Sequence, residues 1–159
     1  MKTAIIYVSK HGTTEKVAQE IKNKIGDDKT QLFNLRANNK IDLTQFEQVI
    51  IGGSIHAGSI QTIIKDFCKN NANELTNKRL GLFICCMYEE EIATKQLENA
   101  YPEILRKHAK SLKVMGGEFL FDKMNFFEKM VIKKVTGAKE TESKINQANI
   151  HSFVEEMAL

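Results

Sequence analysis

Ser9, Thr13 and Thr14 bring three hydroxyls around Gly12, directly after the apolar run Ala4-Ile5-Ile6-Tyr7-Val8. A small, hydroxyl-rich turn between a buried strand and a helix offers backbone N–H groups and the positive end of a helix dipole to an anion. The chemistry this predicts is phosphate binding, with Ser9, Lys10, His11, Gly12, Thr13 and Thr14 as the cradle. The plainer alternative is an N-capped helix with Thr13 or Thr14 as the cap and Glu15 or Lys16 at the surface. A cap alone does not call for three hydroxyls and a glycine together. The turn is not a Walker loop, because no Gly-Lys-Ser/Thr follows at the required spacing. With one glycine rather than three, it is not the dinucleotide fingerprint either.

The elements that must position this turn alternate between strand and helix. Apolar runs at 3–8, Gln31–Leu35, Val49–Ser54 and Leu80–Cys86 read as strands, and Lys113 to about Phe121 holds a fifth. Helical spacing of apolar residues marks Thr13 to about Ile25, Ile60 to about Ala72 and Ile92–His108, the last kinked or split at Pro102. Phe126–Val135 and Gln147–Met157 add two more helical segments. Runs apolar on both faces suit a parallel sheet, and the alternation suggests a doubly wound α/β fold. In such sheets ligands bind outside the carboxyl ends of the strands, which points to Ser9–Thr14, Ser54–Ser59 and Cys86–Glu91.

At 159 residues the chain is expected to form one domain, with 42% hydrophobic and 27% charged residues in ordinary globular proportion. A net charge of +3, with no block of Lys or Arg, excludes a nucleic-acid binder as the first reading. The opening strand is too short for a signal sequence and no apolar run is long enough to span a bilayer, so a cytoplasmic protein is expected. Cys68, Cys85 and Cys86 are odd in number and lack metal-type spacing, so no metal is assigned and reduced thiols are expected. Adjacent Cys85 and Cys86 must face opposite sides of a strand, and only Cys86, at its carboxyl end, could reach a ligand. Gly116 and Gly117 are expected to let the fifth strand pack closely beside the fourth. The segment 126–135 alternates apolar and Lys positions. It reads as a helix packed on the sheet or, alternatively, as a membrane-surface or partner-docking helix.

Ser9-Lys10-His11-Gly12-Thr13-Thr14 resembles the flavin mononucleotide (FMN) phosphate loop of flavodoxins, usually written Thr/Ser-x-Thr-Gly-x-Thr, and the resemblance extends over most of the chain. Ile51-Gly52-Gly53-Ser54-Ile55-His56-Ala57-Gly58 resembles the second flavin loop. The resemblance is closer to the protoporphyrinogen dehydrogenase (quinone) branch. That branch carries Ile-Gly-Ala-Ser-Ile-Arg-Tyr-Gly at this loop and an aromatic, basic helix ending in a glycine turn, here Phe126 to Gly137.

The resemblance implies a flavodoxin-like three-layer α/β sandwich over 1–159, with a five-stranded parallel sheet in the order 2-1-3-4-5 and non-covalent FMN. Ser9, Lys10, His11, Gly12, Thr13 and Thr14 would surround the phosphate, His11 through its backbone N–H. Ser54, Ile55, His56, Ala57 and Gly58 would lie along the isoalloxazine. Cys86, Met87, Tyr88 and Glu89 would form the third loop, with Tyr88 the stacking candidate nearby. His56 is the one catalytic candidate, as a general acid or a donor at the flavin edge, the alternative being an exposed loop residue. The activity implied is protoporphyrinogen oxidation in heme biosynthesis, with electrons passing to a quinone or another acceptor. A membrane contact through 126–135 would accompany a quinone. The alternative is an electron-transfer module with no organic substrate of its own, whose Glu89-Glu90-Glu91 rim would steer a basic redox partner. A flavodoxin-like binding module without cofactor is the third reading.

Overall fold

Residues buried on both faces dictate the centre of the molecule. In the computed structural model, which describes residues 1–137 and 141–159, the apolar runs form strands β1 (Thr3–Tyr7), β2 (Thr30–Asn34), β3 (Gln48–His56), β5 (Arg79–Cys85) and β6 (Ser111–Val114). They pair in parallel in the order β2-β1-β3-β5-β6, the arrangement expected from the sequence. A sixth strand of this sheet, β4 (Ser59–Ile60), folds back antiparallel on the end of β3.

Alternation along each strand divides the core in two. Ile5, Ile50 and Phe83 face α1 (Thr13–Ile25) and α7 (Gln147–Ala158), meeting Val17, Ile21 and Phe153. Ile6, Val49 and Leu82 face the opposite layer of α2 (Thr62–Asn70), α3 (Ala72–Leu75), α4 (Glu90–Ala100) and α5 (Glu103–His108). Helices on both faces are what an all-parallel sheet requires.

The structure corrects the sequence reading in several places. Ile60 belongs to β4 and not to a helix, so α2 begins at Thr62. The hairpin closes through Ala57 at φ 50 and Gly58 at φ 79, the positive φ values of a tight two-residue loop. Pro102 splits the predicted helix at 92–108 rather than bending it. Tyr101 is extended (φ −126, ψ 145), as the residue before a proline prefers, and Pro102 caps α5.

The predicted fifth strand is shorter than expected and ends at Val114. Gly116, at φ 75, turns the chain away. Residues Glu118–Phe119 (β7) then pair antiparallel with Glu142–Ser143 (β8), a ribbon with no strong signal in the sequence. A Cβ on Gly116 would strike the Lys144 carbonyl, and one on Gly117 would stand 3.0 Å from the Cys86 carbonyl carbon. The close packing expected of this glycine pair is therefore against Lys144 after β8 and against Cys86 at the tip of β5, not along the strand. Finally, helix α6 (Phe126–Thr136) is not packed on the sheet, because none of its described side chains is buried.

Tyr101 ties the α4–α5 junction to the sheet: its buried hydroxyl donates to the Phe83 carbonyl at 2.6 Å, and the Ile51 carbonyl lies at 3.2 Å. Tyr101→Phe is expected to lower stability by about 1 kcal/mol, the net worth of an ordinary buried hydrogen bond. A fall in the urea midpoint with unchanged slope would check it. Among the described residues, no helix is long and apolar enough to cross a membrane.

Candidate functional site

The turn after β1 is closed by a hydrogen bond from the Gly12 N–H to Ser9 Oγ, at 2.9 Å. Gly12 sits in the left-handed region at φ 97 and is itself the N-cap of α1. No side chain caps the helix, so neither Thr13 nor Thr14 plays the capping role that the alternative sequence reading gave them. Thr13 Oγ1 instead donates to Glu118 at 3.1 Å. Thr14, 1% exposed, finds no oxygen or nitrogen partner for its buried Oγ1, which lies beside the Cys85 thiol. A buried hydroxyl with only a thiol beside it, at an uncapped helix N-terminus, is the arrangement a phosphate oxygen would satisfy.

This turn opens onto a cavity of about 520 Å³ at the carboxyl ends of β1, β3 and β5. The structure brings all three predicted loops to it. Ser9, Lys10, His11, Thr13 and Thr14 line one end; Ser54, Ile55, His56, Ala57 and Gly58 line a second wall; Cys86, Met87 and Tyr88 line a third. Gly12 shapes the turn without lining the cavity, and Glu89 stands outside it as the exposed N-cap of α4.

The fourth wall was not anticipated. It comes from β7 and α6, which contribute Glu118, Asn125, Phe127, Glu128, Val131 and Val135. Phe127, Val131 and Val135 recur every four residues, one stripe of a helix, and Asn125 with Glu128 three residues on forms a capping box. Both signals are local. Neither says that the stripe covers a cavity rather than a sheet.

Two carboxylates reach the turn after β1 from this wall. Glu118 lies 3.0 and 3.1 Å from the Lys16 ammonium and accepts from Thr13. Burial alone would raise its pKa, but the hydrogen bonds from Lys16, Ser143 and Thr13 outweigh it and hold the group low. Glu128 Oε2 lies 2.8 Å from His11 Nε2 and 3.0 Å from Lys10 Nζ. Here too burial pushes upward, and the hydrogen bonds from Lys10, His11 and the Asn125 N–H bring the pKa down to about 2. The His11 side chain, for which the sequence reading gave only a backbone contact, is thus committed to Glu128.

The sign of the Glu128 contribution follows. Its folded pKa of about 2 lies below the ordinary 4.5, so its stabilising contacts are complete above pH 4.5 and are lost as pH falls toward 2. Protection factors of the α6 amides, corrected for intrinsic exchange, are expected to fall across that window.

His56 lies at the rim, exposed, with Nε2 3.0 Å from Ser54 Oγ. Gln61 fixes this serine, donating to Ser54 Oγ at 2.8 Å and accepting from the Ser54 N–H at 3.0 Å. Desolvation by neighbouring atoms, then the Lys10 charge and His11, push the His56 pKa below the ordinary value. The shift favours the neutral form of the imidazole. Burial raises the Cys85 thiol to about 12 and the Cys86 thiol to about 11, and Cys86 donates to the Tyr88 carbonyl. Both are protonated at neutral pH and sit as small buried residues, not nucleophiles. No cluster able to hold a metal exists among the described residues.

A family model described as a flavodoxin domain matches residues 4–146. Comparison with curated proteins gives no match. Among solved structures the chain is similar to the rubredoxin oxygen:oxidoreductase of Desulfovibrio gigas, at 17% identity and a TM-score of 0.58. It covers 99% of this chain but 34% of that one, so the chain spans about a third of that relative's length. Flavodoxin 2 of Bacillus cereus is similar at 17% identity and a TM-score of 0.57, with 99% of this chain and 98% of that one covered. A Fusobacterium nucleatum flavodoxin mutant bound to flavin mononucleotide is similar at 18% identity and a TM-score of 0.50, covering 99% and 95%. At these identities the structural likenesses show the fold.

Proposed function

Because the chain belongs to the flavodoxin domain family, we propose that it is an FMN-binding redox protein whose cofactor occupies the cavity at the carboxyl ends of β1, β3 and β5. The observation that carries this reading is Thr14 Oγ1, buried at the uncapped start of α1 with no oxygen or nitrogen partner. Ser9, Lys10, Thr13 and Thr14, with the backbone of 10–14, would hold the phosphate. Ser54–Gly58 and Cys86–Tyr88 would flank the ring system. Bound FMN would supply one- and two-electron transfer, and the protein supplies position, solvent exclusion and local charge. His56, favoured in its neutral form and oriented by Ser54 and Gln61, would take up a substrate proton at a ring nitrogen.

Within that reading we favour an oxidoreductase with an organic substrate of its own, of the protoporphyrinogen type, passing electrons to a quinone or another acceptor. Support comes from the apolar stripe Phe127, Val131 and Val135, which walls the cavity and would exclude water beside an apolar reactant. A bare electron shuttle needs no such wall. The exposed Glu89, Glu90 and Glu91 beside the third loop favour the second reading, an electron-transfer module docking a basic partner.

One experiment separates them. The purified protein is loaded with FMN, desalted and mixed anaerobically with protoporphyrinogen. Loss of flavin absorbance supports the oxidoreductase. A retained flavin that protoporphyrinogen leaves oxidised, but a reductase reduces at a rate falling with salt, supports the shuttle. A protein that retains no flavin overturns both.

A further inference from the structure

The phosphate turn already carries an anion of the chain's own. We propose that the Glu128 carboxylate is the resident anion of this turn, holding α6 shut across the cavity, and that an incoming phosphate monoester displaces it. The inference rests on the FMN reading for its natural ligand but not for its geometry.

Lys10 and His11 are loop residues, and their side chains point at the same oxygen, Glu128 Oε2, at 3.0 and 2.8 Å. Residues 11 and 128 are 117 positions apart, so this contact pins α6 to the turn. A phosphate dianion arriving at the turn would seek the same cations, and two anions at one site repel. The carboxylate is also an incomplete occupant: it leaves Thr14 Oγ1 without an oxygen or nitrogen partner. A phosphate carries more terminal oxygens and can engage donors that Glu128 does not reach.

The other carboxylate at the turn is differently held. Glu118 belongs to β7, is paired to β8, and is bound by Lys16, Thr13 and Ser143. Its release would unpick a ribbon. Glu128 belongs to a helix with no described side chain buried, so lifting α6 exposes little apolar surface beyond the cavity itself. Of the two, Glu128 is the one that can leave.

This arrangement makes the phosphate the key to the cavity. A phosphorylated flavin opens α6 by replacing its anchor; a flavin without phosphate does not. The test uses the full chain and Glu128→Gln, which keeps a hydrogen-bonding side chain in the capping box at the start of α6. FMN and riboflavin affinities are measured by fluorescence quenching, and amide exchange of residues 126–137 is followed with and without inorganic phosphate. The expected results are FMN binding about 5-fold tighter in the variant, the scale of one exposed ion pair, with riboflavin, which cannot displace the anchor in the native chain, gaining at least as much. Phosphate is expected to speed α6 exchange in the native chain, and the variant to exchange fast without it. An FMN affinity that is unchanged or weaker in the variant overturns the proposal, as does α6 exchange indifferent to phosphate. If neither flavin binds any form, the FMN reading fails, while the phosphate and exchange measurements still decide whether Glu128 is the anchor.

Discussion

Thr14→Val is expected to weaken FMN binding about 10- to 150-fold, the cost of about 1.5–3 kcal/mol for losing a hydrogen bond to a charged group. The substitution exchanges a hydroxyl for a methyl of nearly the same volume at a site 1% exposed, so the turn keeps its shape. Two controls make the result specific. Riboflavin lacks the phosphate, and its affinity is expected to be unchanged. The stability of the cofactor-free protein is expected to hold or rise, because Thr14 Oγ1 has no conventional partner and its removal relieves an unsatisfied buried group. An equal loss for FMN and riboflavin would mean that the substitution distorts the turn. No loss for either would move the phosphate away from Thr14. Fluorescence titration of the two flavins, with a thermal melt of each form, distinguishes these outcomes.

What could be read from the sequence was what neighbouring residues decide among themselves. The turn after β1 was legible as a turn because its hydroxyls and glycine lie within one short segment. The central strands were legible because their middles, Ala4–Ile6, Val49–Gly53 and Leu80–Ile84, are buried on both faces and carry no polar side chain. Pro102 was ambiguous only in degree, and the extended Tyr101 resolves it by the local sterics of the residue before a proline.

The fourth wall escaped because its partners are distant. Nothing near Glu128 signals that it meets Lys10 and His11, and nothing near Glu118 signals Thr13. The stripe Phe127, Val131 and Val135 has the spacing of a helix packed on a sheet, and only the excursion after Gly116 sets it over the cavity instead. The short ribbon of β7 and β8 escaped for a related reason: two residues per strand carry no periodicity. The candidate site is thus half local and half tertiary. The local half predicts a ligand, and the tertiary half predicts what must move for the ligand to enter.

Phe83→Ala is expected to cost about 3–5 kcal/mol, the range for truncating a buried aromatic, against a total stability of roughly 5–15 kcal/mol. For a chain of 159 residues that corresponds to a melting point lower by roughly 6–20 °C. Phe83 is 0% exposed and meets Phe153 edge to face, with centroids 6.1 Å apart and planes at 81°. Its ring also fills the space where a side chain would stand on the neighbouring strand. Gly52 is its register partner, and a Cβ there would fall within the ring. Gly52→Ala in the native background is therefore expected to destabilise by about 1–3 kcal/mol through overpacking. In the Phe83→Ala background the same methyl enters the vacated space and recovers part of the loss. The double variant should thus cost less than the sum of the singles, a coupling expected only of residues that compete for one volume. Additive costs in a urea-denaturation cycle would refute that account of Gly52. The coupling matters to the site because Gly52 lies two residues before Ser54 on β3 and Phe83 lies three before Cys86 beyond β5. A sheet packed this closely up to its carboxyl edge is what allows the loops beyond it to hold a ligand in one position.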